Sequence, residues 1–180
     1  QVGSFLILKG NFFIVSATLG LTTIASYGLT LQIFGLLSAV SATIFLLQTP
    51  QINKLQIQED IEGIKHLYIL SKALSLICFI IGSVFIIFWG NECLQLLKSK
   101  TNLIDLWWLV ILAIILTLEL NHSLAATYLT TLNKTPFLIP SILSGISVLI
   151  LSILSVIYSE PNLGILILIQ GLVQLTYNNW

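Results

Sequence analysis

The chain alternates long apolar runs with short polar breaks. Six stretches are apolar and long enough, or nearly so, to cross a membrane as helices. They run from Val2 to about Leu21, about Leu29 to Thr49, Leu67 to Trp89, Leu103 to about Ala126, Leu138 to Tyr158, and Leu163 to at least Tyr177. A bilayer core about 30 Å thick needs about 20 mostly apolar helical residues. Barrel strands are the rival for Ile-rich runs, but they span only about 9–11 residues and alternate in polarity. These runs are longer and do not alternate. The pattern predicts an all-α, polytopic transmembrane helix bundle of about six helices, with Pro50 stopping the second helix and Gly90 the third.

The connections are short except for 51–66, which carries Lys54, Glu59, Asp60, Glu62 and Lys65 and is expected to form a short surface helix or helical turn. None could hold a folded extramembrane domain. Orientation follows from where lysines fall, because cytoplasmic loops carry the positive excess. Connections 51–66 and 127–137 share one side, with Lys54, Lys65 and Lys134 there and Lys72 close by; Lys98 and Lys100 lie on the other. Four against two places 51–66 in the cytoplasm and the Trp107–Trp108 pair at the outer interface, where indole rings favour the headgroup zone.

Composition agrees with the pattern. The chain is 57% hydrophobic and 8% charged, against about 25% charged in soluble domains. Seven lysines balance seven acids with no arginine, which excludes a strongly basic nucleic-acid binder. An anion met by this stretch would have to be held by lysine, amides or hydroxyls and not by a bidentate guanidinium. Cys78 and Cys93 make neither a disulfide framework nor a metal spacing. There is no methionine and no signal-peptide pattern, and the ends abut apolar runs, so a piece of a longer protein is expected.

Charged groups within a hydrocarbon core are costly and commonly functional. Lys9, with Asn11 nearby, stands twelve residues before Leu21, about 18 Å along a helix. Either it faces a wet cavity holding an anionic substrate, or the helix starts later and Lys9 snorkels to the interface. Glu119, His122 and Ser123 fall at i, i+3 and i+4, on one helix face, with Asn121 on another. A buried Glu beside a His can relay a proton; the alternative is a hydrogen-bonded knot that fixes packing. Lys72 is expected to snorkel, Tyr27 and Gln32 to line a cavity mouth or anchor an interface, and Gln170 and Gln174 to face protein. The glycosylation-like triplets at Asn121 and Asn133 fall in the membrane and on the expected cytoplasmic side, so neither is an acceptor. No phosphate-binding glycine loop, metal triad or nucleophile motif is present, so neither enzymatic activity nor a cofactor is expected.

Four segments carry a family resemblance: Ala25-Ser26-Tyr27-Gly28-Leu29-Thr30-Leu31-Gln32, Pro50-Gln51-Ile52-Asn53, Leu118-Glu119-Leu120-Asn121-His122-Ser123, and the stretch from Gln170 to Trp180. In this order they resemble the C-terminal half of bacterial polysaccharide flippases, the O-antigen-repeat translocases of the multidrug/oligosaccharidyl-lipid/polysaccharide exporter superfamily. Asn11 to Leu21 is similar to that family's seventh helix. The resemblance implies helices seven to twelve of a two-lobed exporter whose N-terminal half is the missing partner. It implies transport of undecaprenyl-pyrophosphate-linked oligosaccharide across the bacterial inner membrane by alternating access, with polysaccharide polymerase and chain-length machinery as candidate partners. Of the cationic cavity residues such proteins carry, only Lys9 fits here, and the absence of arginine departs from the pattern. A cation-coupled drug exporter, a lipid II flippase and a non-transporting scaffold stay open as alternatives.

Overall fold

The computed structural model describes residues 12–159 and 161–177. These residues contain no strand, and six helices follow one another: α1 Leu21–Leu46, α2 Thr49–Ile57, α3 Ile61–Leu96, α4 Leu106–Thr131, α5 Leu138–Tyr158 and α6 Leu163–Tyr177. A further helical stretch, 12–18, precedes α1 and is separated from it by a bend at Leu19. The rest of the first expected helix, with Lys9 and Asn11, lies outside the described residues.

Four spans are long and apolar enough to cross a membrane: α1 together with α2, then α3, α4 and α5. Their flanks present large apolar side chains outward, Ile81, Phe88 and Ile139 each more than three-fifths exposed. Water would penalise that surface heavily, whereas lipid tails accept it. The chain is a membrane-embedded, all-α bundle.

Several expected boundaries move. The second helix starts at Leu21 and not near Leu29, because its early threonines and serines do not stop a helix in an apolar setting. Thr30 returns its hydroxyl proton to the Ser26 carbonyl at 2.7 Å, within the helix's own backbone. Pro50 does not end that helix either. The helix closes at Leu46, and Pro50 opens α2 in its first turn, where the missing N–H would have had no helical partner. The 51–66 connection is therefore mostly helical: α2 runs to Ile57, Gln58–Asp60 form the break, and α3 begins at Ile61. Asp60 caps α3 by accepting from the Gly63 N–H at 3.0 Å.

Gly90 does not terminate α3, which runs about eight helical turns to that point and continues to Leu96. At 1.5 Å per residue its 36 residues are about 54 Å long, well beyond the hydrocarbon core. The absent side chain serves packing: a Cβ at Gly90 would stand 2.6 Å from Leu103. The next residue, Asn91, accepts the Leu103 N–H at 2.8 Å, and Thr30 accepts that of Ile104 at 3.3 Å. Leu103 and Ile104 are thus buried loop residues instead of the start of α4, which opens at Leu106 and runs past Ala126 to Thr131. The fifth helix has the expected limits, with Pro140 in its first turn. The 15 described residues of α6 give about 22 Å.

Helix α4 is the hub, packing on α1, α2, α3 and α6, while α5 leans on α6. The α1–α3 seam is antiparallel: Phe34 meets Phe79 and Phe45 meets Tyr68, with ring centroids 6.2 and 5.9 Å apart. Between these ring pairs α1 buries Ser41 and α3 buries Ser71 and Ser75, while Leu37 rests on Gly82, just past Phe79. Association inside lipid gains nothing from apolar burial alone, so small residues that let backbones approach supply the van der Waals contact. Tyr68 also carries the seam onto α4 through Tyr128, centroids 4.5 Å apart.

Three turns leave their helices through left-handed residues that are not glycine: Glu59, Lys98 and Asn133, with φ of 56°, 55° and 53°. Each closes the same double bond pattern. After α3, for instance, the Ser99 N–H reaches the Leu94 carbonyl and the Lys98 N–H that of Gln95, both at 2.9 Å. These are Schellman terminations, satisfying carbonyls that would otherwise be orphaned at the helix end.

Candidate functional site

Helices α4 and α6 carry most of the polar groups that sequence reasoning singled out. On α6, the buried positions Leu166, Ile167, Gln170, Val173 and Gln174 recur at helical spacing and form one inward stripe. Both glutamines therefore face protein, as their one-turn spacing predicts. Opposite, α4 buries Leu112, Leu116, Leu120 and Leu124 at intervals of four, with Glu119 on the flank of that stripe.

Contacts fix how the two helices meet. Gly164 of α6 lies under the Trp108 indole of α4, and Gly171 under Ile115. Both pairs advance by seven residues in the same direction, so α4 and α6 are parallel, with side chains of one filling glycine notches in the other. One turn further along, Gln174 Nε2 donates to Glu119 Oε2 at 3.3 Å. Gln174 Oε1 is also buried and has no protein donor. The result is a carboxylate held by an amide whose own oxygen has no protein donor, both within apolar helices, and such acceptors suit a proton, a cation or hydroxyl groups.

Tyr27 joins this region from α1. It is 1% exposed, hence no interfacial anchor, and lies within electrostatic range of the Glu119 carboxylate. Gln32 is exposed on α1, Asn121 and His122 are partly buried on α4, and Ser123 is exposed, so the i, i+4 partner of Glu119 faces out of the bundle. Glu119 instead bonds a residue 55 positions away. Lys9 and Asn11 lie outside the described residues.

Lys72 runs back toward the polar start of α3, as a snorkelling lysine does, but its ammonium is held on the way by the Tyr68 hydroxyl at 3.3 Å. Of the Trp pair, Trp107 is largely exposed, whereas Trp108 is the residue that covers Gly164. A shallow groove of about 270 Å³ on α3, lined by Phe85, Trp89, Glu92, Cys93 and Leu96, contains none of the polar pair. Among the described residues, no group of three or more His, Cys, Asp or Glu could hold a metal ion. The buried hydroxyls of Ser41, Ser71, Ser75 and Ser83 went unnoticed in the sequence. The separations of four and eight between Ser71, Ser75 and Ser83 along α3 are the signal that marks those three.

Comparison with known proteins finds no matching family model, no matching curated protein and no matching solved structure. The class defined by fold and site is a membrane-embedded helical bundle with a partly buried carboxylate–amide pair between two parallel helices.

Proposed function

We propose that the chain is one lobe of a polysaccharide flippase, moving undecaprenyl-pyrophosphate-linked oligosaccharide repeat units across the bacterial inner membrane by alternating access. The observation that carries this reading is the Glu119–Gln174 hydrogen bond between α4 and α6. Buried polar pairs in apolar helices are costly, and they are retained where a bundle handles polar cargo or coupling ions. Lipid-linked sugars present a polar head that hydrocarbon will not admit unaided, so a polar path between helical lobes is the device required. The ordered motifs from Ala25 to Trp180 add the family resemblance to that physical argument. In this reading the chain works with an N-terminal lobe, the 51–66 segment faces the cytoplasm with Lys54 and Lys65, and polysaccharide polymerase and chain-length machinery are partners.

The test is complementation. A flippase-deficient bacterium expressing the full-length parent is assayed for surface polysaccharide and for trapped undecaprenyl-linked repeat units. Restored polysaccharide with cleared intermediate is the expected result; correct insertion with intermediate still trapped counts against it. One observation favours a second reading, a cation-coupled drug exporter: Glu119 is an acid set between apolar helices and held there by an amide. Substrate efflux that follows an ion gradient and ignores lipid-linked sugars would select that reading.

A further inference from the structure

We propose that an internal water molecule bridges Ser41 of α1 and Ser75 of α3, in the middle of the antiparallel seam. Both residues are 0% exposed, and neither hydroxyl has a protein hydrogen-bond partner. The neighbouring serines of α3 behave differently. Ser71 and Ser83, on the same face of α3, return their protons to the Leu67 and Phe79 carbonyls at 2.7 Å. Ser41 and Ser75 forgo that local bond although the carbonyls four residues earlier, Leu37 and Ser71, stand in the same position relative to them. A buried hydroxyl left unsatisfied is destabilising, so a rotamer that turns away from an available carbonyl points to another partner in the seam.

The register places the two residues in the same stretch of the seam. The ring pairs Phe34–Phe79 and Phe45–Tyr68 bracket them, closing the seam on both sides. Ser41 is seven residues beyond Phe34 on α1, and Ser75 is four residues before Phe79 on the opposing helix α3. At 1.5 Å per residue their heights differ by about 4.5 Å. One water accepting or donating at about 2.8 Å on either side spans such a gap. The second lone pairs of the Leu37 and Ser71 carbonyls give it up to four polar neighbours, the number a buried water needs. The aromatic layers above and below would keep lipid tails from replacing it.

The test is the thermal melting of the detergent-solubilised chain as Ser41→Ala, Ser75→Ala and the double variant. A shared water makes each single substitution lower the Tm, because the water loses a partner and the other serine is stranded. The double variant then melts no lower than either single, because no hydroxyl is left to satisfy. A Tm that rises or stays level in the singles, or losses that add in the double, would overturn the proposal. Should a variant fail to fold, a high-resolution map of the unmodified chain decides. The expected density peak lies at about 2.8 Å from both Oγ atoms; serines turned onto their own carbonyls with no peak between them exclude it.

Discussion

Gly171 of α6 lies so tightly beneath Ile115 of α4 that a Cβ added to it would stand 2.7 Å from Ile115 Cδ1. Seven residues earlier Gly164 is covered in the same way by the Trp108 ring. The two notches differ in what presses on them. Ile115 offers the far end of a flexible side chain, whereas Trp108 offers the edge of a rigid indole. Replacing Gly by Ala in a helix gains about 0.5–1 kcal/mol in backbone entropy, against an overpacking cost of about 1–3 kcal/mol. Gly164→Ala is therefore expected to destabilise the bundle clearly, and Gly171→Ala to do so less. Removing Cδ1 with Ile115→Val should restore part of the Gly171→Ala loss. Melting of the four variants in detergent checks this; equal effects at the two glycines would show that the notches do not set the α4–α6 approach.

How far the fold could be read in advance depends on what each boundary answers to. The bodies of α3, α4, α5 and α6 were legible because apolar runs answer to the bilayer, a solvent the sequence addresses directly. Pro50 and Gly90 were misread because both act locally in two ways. Proline stops a helix from inside but starts one from its first turn, and Gly90 serves the Leu103 contact while its backbone stays helical. The inward face of Gln170 and Gln174 was legible from two amides one turn apart in an apolar helix. The Glu119 partner was not, since a contact across 55 residues is fixed by the packing of α4 on α6 and not by any spacing within one helix.

The three left-handed turn residues make a second expectation. A side chain in this region costs about 1–2 kcal/mol relative to the right-handed form, and glycine escapes that cost. Part of the gain is lost to the greater freedom of glycine in the unfolded chain. Lys98→Gly and Glu59→Gly are expected to raise stability by about 0.5–1 kcal/mol. Asn133→Gly should gain less, because asparagine tolerates the left-handed region. Unfolding of each variant in detergent reads the difference. A loss at Lys98 or Glu59 would mean that the side chain itself holds the turn.

Asp60 tests how α3 begins. Its carboxylate receives the Gly63 N–H at 3.0 Å, and the added Cβ of any larger residue at 63 would run into that carboxylate. Asp60→Ala is expected to cost about 1 kcal/mol and to speed hydrogen exchange in the first turn of α3 without affecting amides beyond Lys72. Asp60→Asn, which keeps an acceptor, should behave nearly as the original. Exchange that is unchanged in Asp60→Ala would show that the break at 58–60 is held by the Schellman bonds of α2 alone.

The polar pair divides packing from chemistry. In Glu119→Gln a carboxamide replaces the carboxylate at equal volume and still accepts from Gln174, so insertion and melting should change little. What disappears is the only group of the pair that can gain or lose a proton. If Glu119 takes part in coupling, the pH dependence of transport flattens in Glu119→Gln, and transport at the optimum falls. Gln174→Leu makes the complementary change: it keeps the carboxylate but removes its donor, at a cost of about 1–3 kcal/mol for the group left unsatisfied. A coupling role then predicts that Gln174→Leu shifts the pH profile while Glu119→Gln erases it. A packing role predicts that Gln174→Leu lowers stability and neither variant alters the profile. Export measured against pH in cells carrying each variant, alongside melting of the purified proteins, separates the two.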